Sequence, residues 1–99
     1  MSRLDRAAII ARISQKLSAT PDPGGAADLV ASQGRIVVVA DPSEIKAAIG
    51  RLRPLDGYRW LAINAGDLFV INPMTVGSKI GILDENGRVL KAADLPRPR

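Results

Sequence analysis

Tyr58 to Lys91 reads YRWLAINAGDLFVINPMTVGSKIGILDENGRVLK, and the fold turns on how this stretch divides into elements. It holds the only Tyr, Trp and Phe of the chain, so the bulkiest core candidates are concentrated here. Tyr58 to Ile63 and Leu68 to Ile71 are apolar enough for two strands, and Asn64-Ala65-Gly66-Asp67 between them suits a tight hairpin. Asn72-Pro73 would end the second strand. Lys79 to Leu83 and Arg88 to Leu90 follow as another hairpin around Asn86-Gly87, the dipeptide most favoured in type I′ turns, with Glu85 and Arg88 as a cross-strand pair. Ile80 and Ile82 share one face, and Gly81 between them leaves room for a neighbour to approach closely. The stretch thus predicts four short strands returning on themselves.

Working outward, Arg35 to Ala40, RIVVVA, is a continuous β-branched run that predicts a strand covered on both faces. Asp41-Pro42-Ser43-Glu44 then opens a helix, with Asp as N-cap, Pro at the first helical position and Glu in the first turn. Ile45, Ala48, Ile49 and Leu52 recur at helical spacing and form its buried face. Lys46, Gly50 and Arg53 lie opposite, and Pro54 ends the helix. This helix is long enough to carry the chain across so that Tyr58 to Ile63 pairs parallel to RIVVVA. Upstream, Ala26 to Gln33 predicts a short helix with Gly34 as its cap. Thr20 to Gly25, TPDPGG, is a loop, without the Lys-Ser or Lys-Thr ending of a phosphate-binding loop.

The N-terminal 18 residues predict a helix whose start is marked by Ser2 and Asp5 as an approximate capping box. Ile9, Ile10, Ile13 and Leu17 form one apolar stripe, and Leu4, Ala7, Ala8 and Ala11 a second on the far side. A two-sided helix of this kind could touch a second subunit, and Ile9, Ile10, Ile13 and Leu17 are the candidate protein interface. Residues 92–99, ending in PRPR, predict a loose tail. Together these elements predict one α+β domain spanning residues 1–99: a mixed, mainly antiparallel sheet of about five strands, with two or three helices packed on one face and an open sheet edge.

Composition narrows the chemistry. The 99 residues allow a single core, and 46% apolar against 24% charged residues is ordinary for a folded chain. There is no Cys and no His, so disulfides, thiolate nucleophiles and the usual zinc, copper or haem ligands are all missing, as is the commonest general base. The carboxylates do not cluster as a calcium loop requires. No enzyme, metal or cofactor is therefore expected. A carboxylate pair such as Asp41 and Asp67 could be imagined for catalysis, but capping and turn roles account for both, and the turn accounts for Asp84 and Glu85. Neither a signal-peptide pattern nor a membrane-length apolar run is visible, which points to a bacterial-type cytoplasm. The formal charge is +4. Arg3, Arg6, Arg12 and Lys16 dominate the N-terminal end, and Arg88, Lys91, Arg97 and Arg99 the C-terminal one, so a polyanion-binding face would arise if the ends met.

Two local resemblances overlap in this chain. GRIVVVADPSEIKAAIGRL with the following RPLDG, YRWLAIN and LFVINP loosely resembles the swapped-hairpin DNA-binding domain of AbrB-type transition-state regulators and related antitoxins. That resemblance implies an interlocked dimer with Arg35, Lys46, Arg51 and Arg53 on phosphates. Leu55 to Leu83 is similar to the C-terminal hairpin of small periplasmic proteins of the nickel and cobalt homeostasis type, which implies hairpin geometry only. The two conflict, and neither is taken as an identification. The function expected is a non-enzymatic protein–protein interaction or assembly module, binding another protein or itself as a homo-oligomer. The alternative is a basic DNA- or RNA-binding regulator, dimeric, with Lys46, Arg51 and Arg53 as its phosphate contacts.

Overall fold

Gly34–Val39 (β3) and Arg59–Ile63 (β4) lie side by side and parallel in the computed structural model, which describes residues 3–96, with Val37 opposite Leu61 and Val39 opposite Ile63. The apolar run of β3 is buried from Ile36 to Val39, and all of β4 is buried, as strands covered on both faces must be. Between them a short 3₁₀ turn, Pro42–Glu44, leads into helix α2, Ile45–Leu52, and the Asp41 carboxylate accepts from the Ser43 N–H at 2.9 Å. The residues that the sequence assigned to the buried face, Ile45, Ala48, Ile49 and Leu52, are the buried ones.

The segment after β4 departs from expectation. A 3₁₀ turn at Ala65–Asp67 runs into helix α3, Leu68–Thr75, with Pro73 inside it, where a second strand was predicted. Asn64 to Ile80 is long enough for the dozen or so residues that a parallel crossover needs, and Gly81–Leu83 (β5) accordingly pairs parallel with β4. The hairpin implied by the periplasmic-protein resemblance is therefore absent. β3 and β4, which the regulator resemblance would place in an interlocked dimer, pair with each other within one chain across α2.

Val89–Lys91 (β6) closes the Asn86-Gly87 hairpin antiparallel to β5, as expected, with an irregular register at Ile82 and Leu83. The Glu85 pairing is different: its carboxylate accepts from the Ala65 N–H at 3.0 Å. On the other edge, Leu29–Ala31 (β2) pairs antiparallel with β3, and Thr20–Pro21 (β1) with β2. The predicted helix over 26–33 is thus a turn and a strand. Gly34 is not a helix cap but the start of β3, at φ 132°, where a Cβ would lie 2.1 Å from the Tyr58 carbonyl oxygen. Among the described residues the sheet has six strands in sequence order, with three antiparallel pairings and two parallel ones.

The α+β class stands, but the helices cover both faces of the sheet. Strand alternation sends Val37, Val39, Leu61, Ile63 and Ile82 toward α2 and α3, and Ile36, Val38, Trp60, Ala62 and Leu83 toward helix α1, Arg6–Leu17. A sheet buried on one face only would leave the second set in water, and the N-terminal helix prevents that. Asp5 is its N-cap, accepting from the Ala8 N–H at 2.8 Å, while Ser2 lies outside the described residues. Trp60 is a core residue whose indole N–H donates to the Gln33 carbonyl at 2.9 Å. The close approach expected at Gly81 is real, because a Cβ there would come within 2.5 Å of the Trp60 ring. The tail is not loose throughout: the Asp94 N–H donates to the Lys79 carbonyl at 3.0 Å, and residues 97–99 lie outside the described part.

One carboxylate joins the layers. Asp28 accepts from Arg6 of α1 at 2.6 Å, from Arg51 of α2 at 3.0 Å and from the Val38 N–H at 2.8 Å. Burial works against its charge, but the hydrogen bonds from Arg6, Val38 and Arg51 outweigh it and hold the carboxyl below its ordinary range. Asp28→Asn should cost about 1–2 kcal/mol at neutral pH, since both arginines are partly solvent-screened, measured as a lower urea midpoint. With the folded pKa below the unfolded value near 3.9, the carboxylate stabilises the fold above roughly pH 4 and this is lost as pH falls through the folded pKa. The gap between wild type and Asp28→Asn should therefore close in acid, and a gap unchanged at about pH 2 would contradict the assignment.

Candidate interaction surface

Helices α2 and α3 lie next to each other on one face of the sheet. α3 is apolar nearly all round, a composition that belongs to a buried helix, yet it buries only Ile71 and Thr75 fully. Phe69 is 90% exposed, Val76 74%, Val70 61% and Met74 41%. Phe69 alone places roughly 150–250 Å² of largely apolar surface in water. Between the two helices runs a groove of about 240 Å³ lined by Lys46, Ile49, Gly50, Arg53 and Met74.

The two helices are held in register from below. Arg59 is 3% exposed, and its guanidinium donates to the carbonyls of Leu52 and Arg53 at the end of α2 and to Ser78 after α3, the last at 3.0 Å. A cation at a helix C-terminus meets both its unpaired carbonyls and its negative dipole end. Lys91 of β6 donates to Thr75 Oγ1 at 2.8 Å, and that hydroxyl donates to the Asn72 carbonyl, fixing the last turn of α3. The groove walls are therefore rigid elements tied to the sheet.

The predicted site residues are divided by this arrangement. Lys46 and Arg53 flank the groove, and among the described residues neither side chain has an ion-pair partner. Arg51 points away, donating to Asp28 and, from Nε, to the Ala26 carbonyl at 3.2 Å. Ile9 and Ile13 are fully buried against their own sheet, and Ile10 and Leu17 are half-buried beside them. That stripe is the attachment of α1 to the domain. Phe69, Val70, Met74 and Val76 were not singled out from the sequence, because LFVINP reads as strand; the available signal was Leu68, Ile71 and Thr75 at helical spacing.

A second concavity, of about 500 Å³, lies past the end of β4 and is lined by Arg3, Leu4, Arg12, Asn64, Ala65, Gly66, Glu85 and Asn86. Open α/β sheets commonly bind ligands beyond the carboxyl ends of their strands. Here the polar groups answer one another: Arg3 with Asp67 at 2.5 and 2.7 Å, Asn64 with both backbone groups of Leu4, and Arg12 with Asn86. Asp41, whose carboxyl is held below its usual range by the Ser43 hydrogen bonds, is a cap. Among the described residues no three carboxylates converge as a metal site would, and no helix is long and apolar enough to cross a membrane.

The chain matches no protein-family model, no curated protein and no solved structure. Gly50, in the lining of the α2–α3 groove, is the simplest position to probe. It is exposed in the middle of α2, and a Cβ there would meet nothing within 4 Å. Gly50→Ala should stabilise the fold by about 0.5–1 kcal/mol, a few degrees in thermal melting; a destabilised variant would mean that the fold itself requires the glycine.

Proposed function

We propose that this chain is a small, non-enzymatic protein–protein interaction or assembly module that docks through the outer faces of α2 and α3. The observation that carries this is Phe69, 90% exposed on a helix with Val70, Met74 and Val76 also in water. Fully burying one such side chain is worth about 1.5–3 kcal/mol, so a partner covering several of them has a sufficient driving force. Aromatic residues and Met are enriched in interfaces and Phe69 would be the anchor.

The sheet edges favour the helical surface over strand addition. β1 has two residues and contains Pro21, and β6 has three with an irregular register, both of which blunt edge pairing. The partner is another protein or a second copy of the chain. The second reading, a nucleic-acid-binding regulator, draws support from Lys46 and Arg53 at the groove rim, with Arg51 diverted to Asp28.

Phe69→Asp is the decisive variant. Little of the side chain touches the domain, so the circular dichroism spectrum and melting temperature should stay within the range of a surface change. Association should weaken by about 2 kcal/mol or more. Light scattering after size exclusion tests self-association, and a photo-crosslinker at Val70 in cells tests a different partner. A wild type that is monomeric at high concentration and forms no adduct from Val70 would rule out the proposal.

A further inference from the structure

We infer that the occupant of the α2–α3 groove is an amphipathic helix of another protein, with an apolar ridge flanked by Asp or Glu; this rests on the docking role given above to that face. Two residues of α2 and its C-cap carry it. Lys46, Gly50 and Arg53 stand at i, i+4 and i+7, one above the other on the wall that faces Met74. Glycine in a helix interior is disfavoured relative to alanine, and nothing in the fold asks for it: its φ is not positive and its missing Cβ would meet no atom. What its absence does is keep the floor of the groove open, so that another backbone can approach α2 closely midway between the two cations.

The floor beside Gly50 is Ile49 and Met74, so the occupant must bring apolar side chains there, and anchors at helical spacing on α3, Val70 and Met74, suit a helix laid in a groove. The rim is Lys46 and Arg53 with no acid in the lining, so the occupant's flanking charge is negative. A two-fold pairing of this chain through the same face would instead gather the four cations of two copies. A phosphate backbone would meet the cations but leave Phe69 and Val70 uncovered.

The test is a phage-displayed library of random peptides several helical turns long, selected on the intact chain and counted against Phe69→Asp. Enriched peptides should carry apolar residues at i, i+3/i+4 and i+7 with Asp or Glu beside them. They should be lost on a Lys46→Glu, Arg53→Glu double variant, which, selected afresh, should enrich Lys and Arg. Gly50→Ala should bind the original peptides about tenfold more weakly or worse while melting higher than wild type. Peptides that depend on Phe69 but show no acidic excess and ignore the charge reversal would overturn this inference and leave the docking surface standing. No Phe69-dependent peptide at all would overturn both. A labelled DNA duplex that binds through Lys46 and Arg53 and is indifferent to Phe69→Asp would overturn it in favour of a nucleic-acid partner.

Discussion

Beyond Ile36, β3 continues without β2 beside it, and the carboxylate of Asp28 stands where the next strand residues would be. The Asp28 N–H donates to the Ile36 carbonyl at 3.0 Å, its carboxylate takes the Val38 N–H, and Arg6 donates to the Val38 carbonyl at 3.0 Å. Two backbone groups of a central strand are thereby paired by side chains instead of by a ladder, as buried backbone requires. The same carboxylate receives Arg6 from the layer above the sheet and Arg51 from the layer below. One partly buried anion therefore finishes a strand and ties the three layers together. It also decides which basic residues remain available: Arg51 is consumed in structure, and Lys46 and Arg53 are left facing outward.

A comparable economy holds at the other end of the strands. Asn64 follows β4 directly and pairs through its amide with the N–H and carbonyl of Leu4, while Arg3 grips Asp67 and donates to the Ala40 carbonyl at 2.7 Å. The lead-in to α1 is thus stitched across the ends of β3 and β4, where α/β proteins often place a ligand. Arg59 does the corresponding work beneath α2 and α3, although its Nε has no partner, a cost accepted for a buried guanidinium that satisfies helix-end carbonyls. Most buried polar groups here are explained by joining elements, which leaves the uncovered apolar surface as the feature with no internal purpose.

Much of the fold was legible where local chemistry and burial agree. RIVVVA is apolar without alternation because both its faces are covered; Asp41-Pro42 starts a helix because an N-cap and a fixed φ coincide; Asn86-Gly87 makes its hairpin because few other dipeptides accept the turn. β2 was not legible, since Leu29, Val30 and Ala31 are too few to show a period, and their strand form depends on β3 for partners. Placement of α1 on the opposite face was equally hidden. Its stripe of Ile9 and Ile13 announces that something must be covered, but a partner subunit and the chain's own sheet present the same demand.

Leu68 to Thr75, expected as a strand and found as a helix, is the most instructive segment, because the missing period and the exposed apolar surface have one cause. A helix resting on a domain shows itself by a polar outer face, and the 3.6-residue period comes from that contrast. Leu68 to Thr75 has no such contrast: Phe69, Val70 and Met74 on the outside are as apolar as Ile71 inside. Without a period, β-branched residues and an Asn-Pro ending imitate a buried strand. A helix loses its period when its outer face is as apolar as its inner one, and here the fold covers only the inner face. Local rules of sequence tend to break where a protein answers to something besides its own stability, and in this chain the break coincides with the surface that stays uncovered, beside a groove whose glycine the fold does not need.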